Sequence, residues 1–298
     1  MRYAFVEQQS GFYPIEVLCK VMTVSASGYA HWRARRERSK PAGKRLGDAH
    51  LLTQIRAIHA RTRRAYGSPR IFDEIKGCGY SVSKARVERL MHHHGIRGNH
   101  KRRFKATTNS KHALPVAPNV LDRQFTPVAP NTSWVADITY IDTAEGWLYL
   151  AVVIDLYDRA VVGWSIKPRM TTDIVIDALT MAWFRRRPAQ GLVHHSDRGS
   201  QYASHAFQAK LKQWDMVCSM SRKANCWDNA VAESFFNSLK NERVHAQRYL
   251  TRAQAQADLF DYIEMFYNRS RRHSALGGKS PAWMYQAWLQ RHQAQLVA

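Results

Sequence analysis

WVADITYI, residues 134–141, alternates apolar and polar side chains and is rich in aromatic and β-branched residues, as a strand demands. Gly146 precedes WLYLAVVIDLYD at 147–158, a longer run with an apolar centre, and Arg159 leads into AVVGWSI at 160–166. Three strands with short turns predict an antiparallel meander. Beyond it the period changes. TTDIVIDALTMAWFRRR (171–187) predicts a helix, GLVHHSD (191–197) a strand ending in a polar turn, SHAFQAKLKQW (204–214) a helix and MVCSMS (216–221) a strand. NAVAESFFNSLKNERV (229–244) and TRAQAQADLFDYIEMFYN (251–268) predict two more helices. The order βββαβαβα predicts an α/β fold: a mixed five-stranded sheet with helices on both faces.

Upstream the sequence is all-helical. Residues 14–37 predict two short helices, and the basic stretch Arg33–Arg45, broken by Pro41 and Gly43, a linker. Three helices fit 46–95, the last of them SKARVERLMHHHG, capped by Ser81 or Ser83. It puts Val87, Leu90 and Met91 inward and Lys84, Arg86 and Arg89 outward. Short helices around a tight turn suit a helix-turn-helix; a small bundle with a solvated basic face fits the same pattern. KRRFK at 101–105, with Arg102 and Arg103, opens a second linker punctuated by Pro115, Pro118, Pro127 and Pro130. The expected segments are 1–45, a helix-turn-helix-like domain at 46–100, a linker at 101–130, an α/β core at 131–245 and a helical extension at 246–298.

The 298 residues carry 45 Lys and Arg against 23 Asp and Glu, a net charge of +22. Residues 1–125 hold 25 basic and 8 acidic side chains, so the excess is concentrated there. Such clustering predicts a polyanionic partner, nucleic acid before lipid. The sequence contains neither an 18-residue apolar run nor a signal-peptide pattern, and its four cysteines lack CxxC spacing. A cytoplasmic, nucleoid-associated protein without a disulfide scaffold or zinc ribbon is expected.

Three carboxylates stand where chemistry can use them. Asp137 lies within the first strand, Asp197 just past the fourth, and Glu233 in the first turns of the helix after the fifth, with 35 residues between Asp197 and Glu233. If the first and fourth strands are neighbours, Asp137 and Asp197 come close and the helix with Glu233 lies across their ends. Crowded acids raise each other's pKa, and a divalent cation relieves that cost. Mg²⁺ prefers such hard oxygen ligands, and two ions support phosphoryl transfer. Taken singly, each acid also reads as an ordinary strand, turn or helix-dipole residue.

YGSPRI (66–71), WVADITYI, HHSDRGSQY (194–202), CWDNAVAESFFNSLKNE (226–242) and YNRSRRHSALGGKSP (267–281) together resemble the second-frame catalytic subunit of the insertion-sequence-three transposases. Residues 134–245 resemble the retroviral-integrase-type core on a ribonuclease-H-like fold. The resemblance implies that Asp137, Asp197 and Glu233 are catalytic and bind metal. It implies two Mg²⁺ ions, with Mn²⁺ as substitute, duplex DNA ends and target as substrate, and a homo-oligomer on DNA. It also implies a partner or frameshift fusion from an upstream frame.

Lys240 lies two helical turns after Glu233, with Asn237 between them, so both are candidates for the DNA end; an exposed solubilising lysine fits the spacing as well. Phe235, Phe236 and Leu239 fall on the other side and are expected in the core. Capping explains Asp228 and Asn229, which with Asn225 are also candidate DNA contacts. Arg271 and Arg272 are expected to bind the DNA backbone or to dock the last helix, with Trp283, Tyr285 and Trp288 as core. His194 and His195 lack partners at zinc-site spacing. The expected reaction is metal-dependent cleavage at a transposon end and transfer of the 3′-hydroxyl to target DNA. A DNA-binding repressor or accessory subunit with an inactive core is the alternative.

Overall fold

The computed structural model describes residues 2–39, 44–99, 114–223 and 225–297, which form two compact units. Met1–Ile58 with Ile71–Ile96 make the first, and His59–Arg70 with Arg97–Ala298 the second.

In the first unit, α1 (Arg2–Gln9), α2 (Ile15–Val21) and α3 (Ala26–Ser39) bury Val6, Leu18, Cys19 and Tyr29 together. The Tyr29 hydroxyl donates to Glu7. Helix α1 was not expected, because Val6 is its one buried residue and leaves no periodic stripe. Helix α3 runs on through Arg33–Ser39, where a linker was expected. The unit also holds β1 (Lys44–Arg45), most of α4 (Asp48–Arg61) and α5 (Ser68–Gly77), β2 (Tyr80–Ser81) and α6 (Lys84–His93). Ser83 caps α6 by accepting from Arg86 N–H at 3.3 Å, and Val87, Leu90 and Met91 are buried.

The second unit is built on β3 (Ser133–Ile141), β4 (Leu148–Asp155), β5 (Val161–Lys167), β6 (Val193–Ser196) and β7 (Val217–Met220). Their order is β5-β4-β3-β6-β7, antiparallel from β3 to β5 and parallel from β3 to β7. Alternation along β3 feeds two cores. Trp134, Ala136 and Ile138 pack with α7 (Thr172–Arg186), α8 (Ser200–Ala203) and α9 (His205–Gln213) through Ile174, Ala178, Tyr202 and Phe207. Val135 and Ile141 pack on the other face with α10 (Ala230–Glu242) and α11 (Arg252–Phe260) through Phe235, Phe236, Leu239 and Leu259. This is the expected mixed sheet with helices on both faces. Gly163 lets β5 and α7 touch: a Cβ there would lie 2.1 Å from the Ala178 carbonyl oxygen.

The segment expected as a free linker is partly docked. Val120 and Leu121 N–H donate to Ser219 Oγ at 2.9 and 3.0 Å, and Leu121 is buried in the core of the α10 face. Helix α11 continues as a π-helical stretch, Asp261–Tyr267, and α12 (Pro281–Val297) closes the chain. Trp283, expected in the core, is half exposed beside Lys279; Tyr285 lies under the Arg186 guanidinium at 3.8 Å.

Buried Glu242, at the end of α10, accepts from Arg271 Nε (2.8 Å) and Nη2 (2.6 Å), Arg70 Nη1 (2.7 Å) and the Tyr262 hydroxyl (2.9 Å). Arg271 and Glu242 are 3% and 6% exposed, so removing one partner strands a buried charge. Arg271→Ala is expected to cost about 3–5 kcal/mol, read as a fall in the urea midpoint.

Burial also holds His195 and His273 neutral, lowering each pKa to about 4, and His194 to about 3. Below pH 6.5 the unfolded chain binds protons that the folded chain refuses. Stability is therefore expected to fall with acid from pH 6.5 to about 4, by about 1.4 kcal/mol per pH unit per histidine. His194→Leu should flatten that slope by about one proton, since neither His194 nitrogen has a hydrogen-bond partner and its ring packs on Phe207. An unchanged slope in urea titrations would refute this.

Candidate active site

Parallel pairing of β3 with β6 matches Ser133 to Val193, Trp134 to His194 and Val135 to His195. Two further steps in that register bring Asp137 level with Asp197, on strands whose normal spacing is about 4.8 Å. β6 ends at Ser196, so from Asp137 onward β3 is paired with β4 alone, at the carboxyl end of the parallel strands. Burial first, then the charge of Asp197, drive the Asp137 carboxyl well above the usual range. Glu233 adds to this, while the Ile138 N–H at 2.8 Å and the Lys240 charge oppose it. Asp197 Oδ1 accepts from Gly199 N–H at 2.9 Å, and a Cβ at Gly199 would come within 3.0 Å of that oxygen.

Two buried contacts aim α10 at this pair. Asn229 Nδ2 donates to the Ala136 carbonyl at 3.1 Å, tying the helix start to the residue before Asp137. Asp228, wholly buried, accepts from Arg222 N–H (2.9 Å), Nε (3.0 Å) and Nη2 (2.9 Å), Arg123 Nε (2.9 Å) and Asn119 Nδ2 (3.1 Å). Those charged donors hold its carboxyl far below the usual range. The capping role expected for Asp228 and Asn229 is thus corrected: neither side chain caps α10, and both anchor the turn Cys226–Asn229 to the sheet and the segment before it. Asn225 Oδ1 accepts from Arg123 Nη2 at 3.0 Å.

One turn on from Asn229, Glu233 is exposed, and desolvation by its surroundings raises its pKa. Lys240 is buried on the same helix, its Nζ 4.8 Å from the Tyr140 ring centroid. Burial lowers its pKa to about 8, against the pull of Asp137. Phe235, Phe236 and Leu239 are in the core as expected.

Among the described residues, no three His, Cys, Asp or Glu side chains stand close enough to grip one ion. The expectation of three acids gathered in one cradle is therefore not met in this conformation. Like charges in a half-buried cleft repel, and Asp197 acts on Asp137 more strongly than exposed Glu233 does. The donor chemistry of Asp137 and Asp197 fits a hard divalent cation, which takes one or two carboxylates and fills its shell with water and phosphate oxygens.

The other candidates divide. Lys84 and Arg89 are exposed on α6, and Arg89 Nη2 meets Asp48 at 3.3 Å. Arg86 does not face outward as expected: its Nε donates to Asp48 (2.7 Å) and its Nη2 to the Leu46 carbonyl (2.7 Å). Arg271 is no surface cation, because Glu242 holds it inside. Arg272 Nη1 donates to the Gly278 carbonyl (3.1 Å) and its N–H to the Tyr66 hydroxyl (2.8 Å), so it shapes its own loop. Asn237 is exposed and accepts from Asn241 at 2.8 Å. Arg102 and Arg103 lie outside the described residues.

Sequence reasoning missed Tyr202, which is 2% exposed. Its hydroxyl has no hydrogen-bond partner, and burial and the charges of Asp137 and Asp197 raise its pKa well above the usual value. It also gave His195 no partner, although the ring bridges Ser219 Oγ (2.8 Å) and Ser221 Oγ (3.1 Å), knitting β6 to β7 beneath Asp197. The spacing of these residues along the chain carries no signal of such contacts.

Comparison with known proteins agrees with this architecture. Integrase core domain models match residues 127–226 and 233–285, and an HTH-like domain model matches 46–104. Transposase InsF for insertion sequence IS3A of Escherichia coli (strain K12) is 42% identical over 281 residues, 94% of this chain and 97% of that protein. The 31 kDa protein of insertion element IS600 from Shigella sonnei is 46% identical over 265 residues, 89% of this chain and 96% of that one. Among solved structures, a simian T-cell lymphotropic virus intasome in complex with PP2A regulatory subunit B56 gamma aligns with TM-score 0.45 and 16% identity, over 78% of this chain and 74% of that one. The HTLV-2 integrase catalytic core domain in complex with magnesium aligns with TM-score 0.41 and 19% identity, over 53% of this chain and 98% of that one. Similarity to InsF over almost the whole length, with an integrase core behind an HTH-like domain, means that this chain belongs to the IS3 family of transposases, polynucleotidyl transferases that act on DNA.

Proposed function

We propose that Asp137, Asp197 and Glu233 are the catalytic carboxylates of this transposase, and that the chain cuts at the ends of its element and joins the freed 3′-hydroxyl to target DNA. The parallel pairing of β3 with β6, which runs to Val135 opposite His195 and when continued two steps brings Asp137 level with Asp197, is the observation that supports the reading, together with the action of the Asp197 charge on Asp137. Asp137 and Asp197, with Glu233, would hold the divalent metal, two Mg²⁺ ions with Mn²⁺ as substitute. Bound there, the metal supplies activation of the attacking oxygen and stabilisation of the leaving one. The InsF relatives are named transposases, and the HTLV-2 core is described in complex with magnesium; both support the assignment.

The chain's own groups position the substrate. Buried Lys240 sets one cation beside the carboxylates for a DNA phosphate, with Asn237 a turn nearer Glu233. Residues 46–100 act as the end-recognition domain, where Lys84 and Arg89 offer exposed cations for backbone contacts. Residues 101–130 link it to a core at 131–245 that the extension at 246–298 braces. The chain works as a homo-oligomer on DNA in the cytoplasm, at the nucleoid, together with an upstream-frame product or fused to it. No helix among the described residues is long and apolar enough to cross a membrane.

Asp137→Asn is expected to lower Mg²⁺-dependent nicking and joining of an end-bearing duplex roughly 1,000-fold, about 4 kcal/mol of transition-state stabilisation. Binding of the duplex should persist. Full activity in this variant would refute the assignment.

Lys240 is protonated below pH 8 and neutral above it, so its phosphate contact weakens as pH rises through about 8. Affinity for the end duplex, measured in EDTA, is expected to fall over that range, and Lys240→Arg should remove the fall. The same alkaline fall in Lys240→Arg would assign it elsewhere.

A further inference from the structure

Beyond Asp137 the β3–β4 hairpin carries two aromatic rings with no place in the core. In its register Tyr140 pairs with Tyr149 and Ile141 with Leu148, so Tyr140 and Trp147 lie on the same face of the hairpin. Tyr140 is 36% exposed and Trp147 48%, and their rings meet edge to face with centroids 5.0 Å apart. The turn that carries Trp147 is held firmly. Thr143 Oγ1 donates to the Gly146 carbonyl (2.6 Å), Arg252 Nε to the Trp147 carbonyl (3.3 Å) and Arg252 N–H to Glu145 Oε2 (2.8 Å). Lys240 reaches the Tyr140 ring from α10 and also acts on Asp137. One cation therefore joins the aromatic pair to the carboxylates.

We propose that Tyr140 and Trp147 form a stacking platform for an unpaired nucleobase at the DNA end, a subsite beside the scissile phosphate. The proposal rests on the active-site reading above. Aromatic faces take any base, and an adjacent cation takes its phosphate. Asp142 and Glu145 are exposed on the same turn. Their charge repels phosphate, so the base meets the rings and the backbone passes on the Lys240 side. Tyr140 stands three positions beyond Asp137 and on the opposite face of β3, about 10 Å along the strand or about three base-pair rises of the duplex, and Lys240 acts on both. A base on the platform has therefore left the stack within a few nucleotides of the reacting phosphate.

The test uses the full chain in EDTA, so that its outcome is independent of metal and of the carboxylate assignment. Fluorescence anisotropy compares a labelled duplex carrying a short single-stranded thymidine overhang with the same duplex carrying an abasic overhang. Wild type is expected to prefer thymidine about tenfold. Trp147→Ala should bring the thymidine affinity down to the abasic level at an unchanged melting temperature, and Asp137→Asn should keep the preference. An overhang bearing 5-iodouracil should crosslink on irradiation to Trp147 or Tyr140. A preference that survives Trp147→Ala, or none in wild type, overturns the platform. If Asp137→Asn cuts DNA normally while Trp147→Ala loses the preference, the subsite stands and the carboxylate assignment falls.

Discussion

Two acids brought together, one within β3 and one just past the end of its parallel neighbour β6, constrain the rest of the second unit. Continuing the β3–β6 register sets Asp197 beside Asp137, and their repulsion, in a cleft that also desolvates them, opposes folding. The arrangement persists because both strands are fixed by contacts remote from the carboxylates. β3 is buried on its two faces by separate apolar cores, and β6 is tied to β7 through His195, Ser219 and Ser221. Sheet pairing and burial together outweigh that local cost.

Helix α10 is aimed by the same logic. Its beginning is set by Asn229 on the Ala136 carbonyl and by Asp228, whose carboxylate gathers Arg222, Arg123 and Asn119. Its end is set by Glu242, held by Arg271, Arg70 and Tyr262. Both hubs are buried acids with several charged or polar donors, the condition under which a buried ion pair is tolerated. Between them the apolar side carries Phe235, Phe236 and Leu239, while Glu233 and Asn237 are exposed and Lys240 is buried against the Tyr140 ring. A helix pinned at both ends keeps Lys240 beside Asp137 even though burial of its ammonium is unfavourable.

Local patterns were legible and remote partners were not. Alternation in WVADITYI and the order of periods revealed the five-stranded sheet; that the first and fourth strands are neighbours was only a condition of the reading, and the pairing of β3 with β6 supplies it. The helix with Glu233 and Lys240 was legible from its 3.6-residue stripe. Asp228 looked like a cap because its local signal is that of a cap, while its partner Arg123 lies 105 residues away in sequence. Arg271 looked like a surface cation because NRSRR is a charge run, while the acid that buries it is on α10. Helix α1 offered one buried side chain and so no period at all. In each miss the deciding contact joined elements whose adjacency the sequence pattern does not encode.

That distinction explains why the exposed aromatics matter to the chemistry of the cleft. Beyond Asp137, β3 is paired with β4 alone, and its last residues then have two uses: core or ligand. Ile141 goes to the core at 1% exposure, and Tyr140, one residue before it, cannot, because the period of two turns it to the other face. Past Ile138 that face has run beyond its covering helices, so Tyr140 and Trp147 keep their rings in water beside Lys240. Exposure of two large rings costs hydrophobic stabilisation of about 25 cal/mol per Å² of apolar surface left wet. The same surface, held rigid by the Thr143–Gly146 turn, is regained when a base covers it, so the energy withheld from folding is available to open a DNA end.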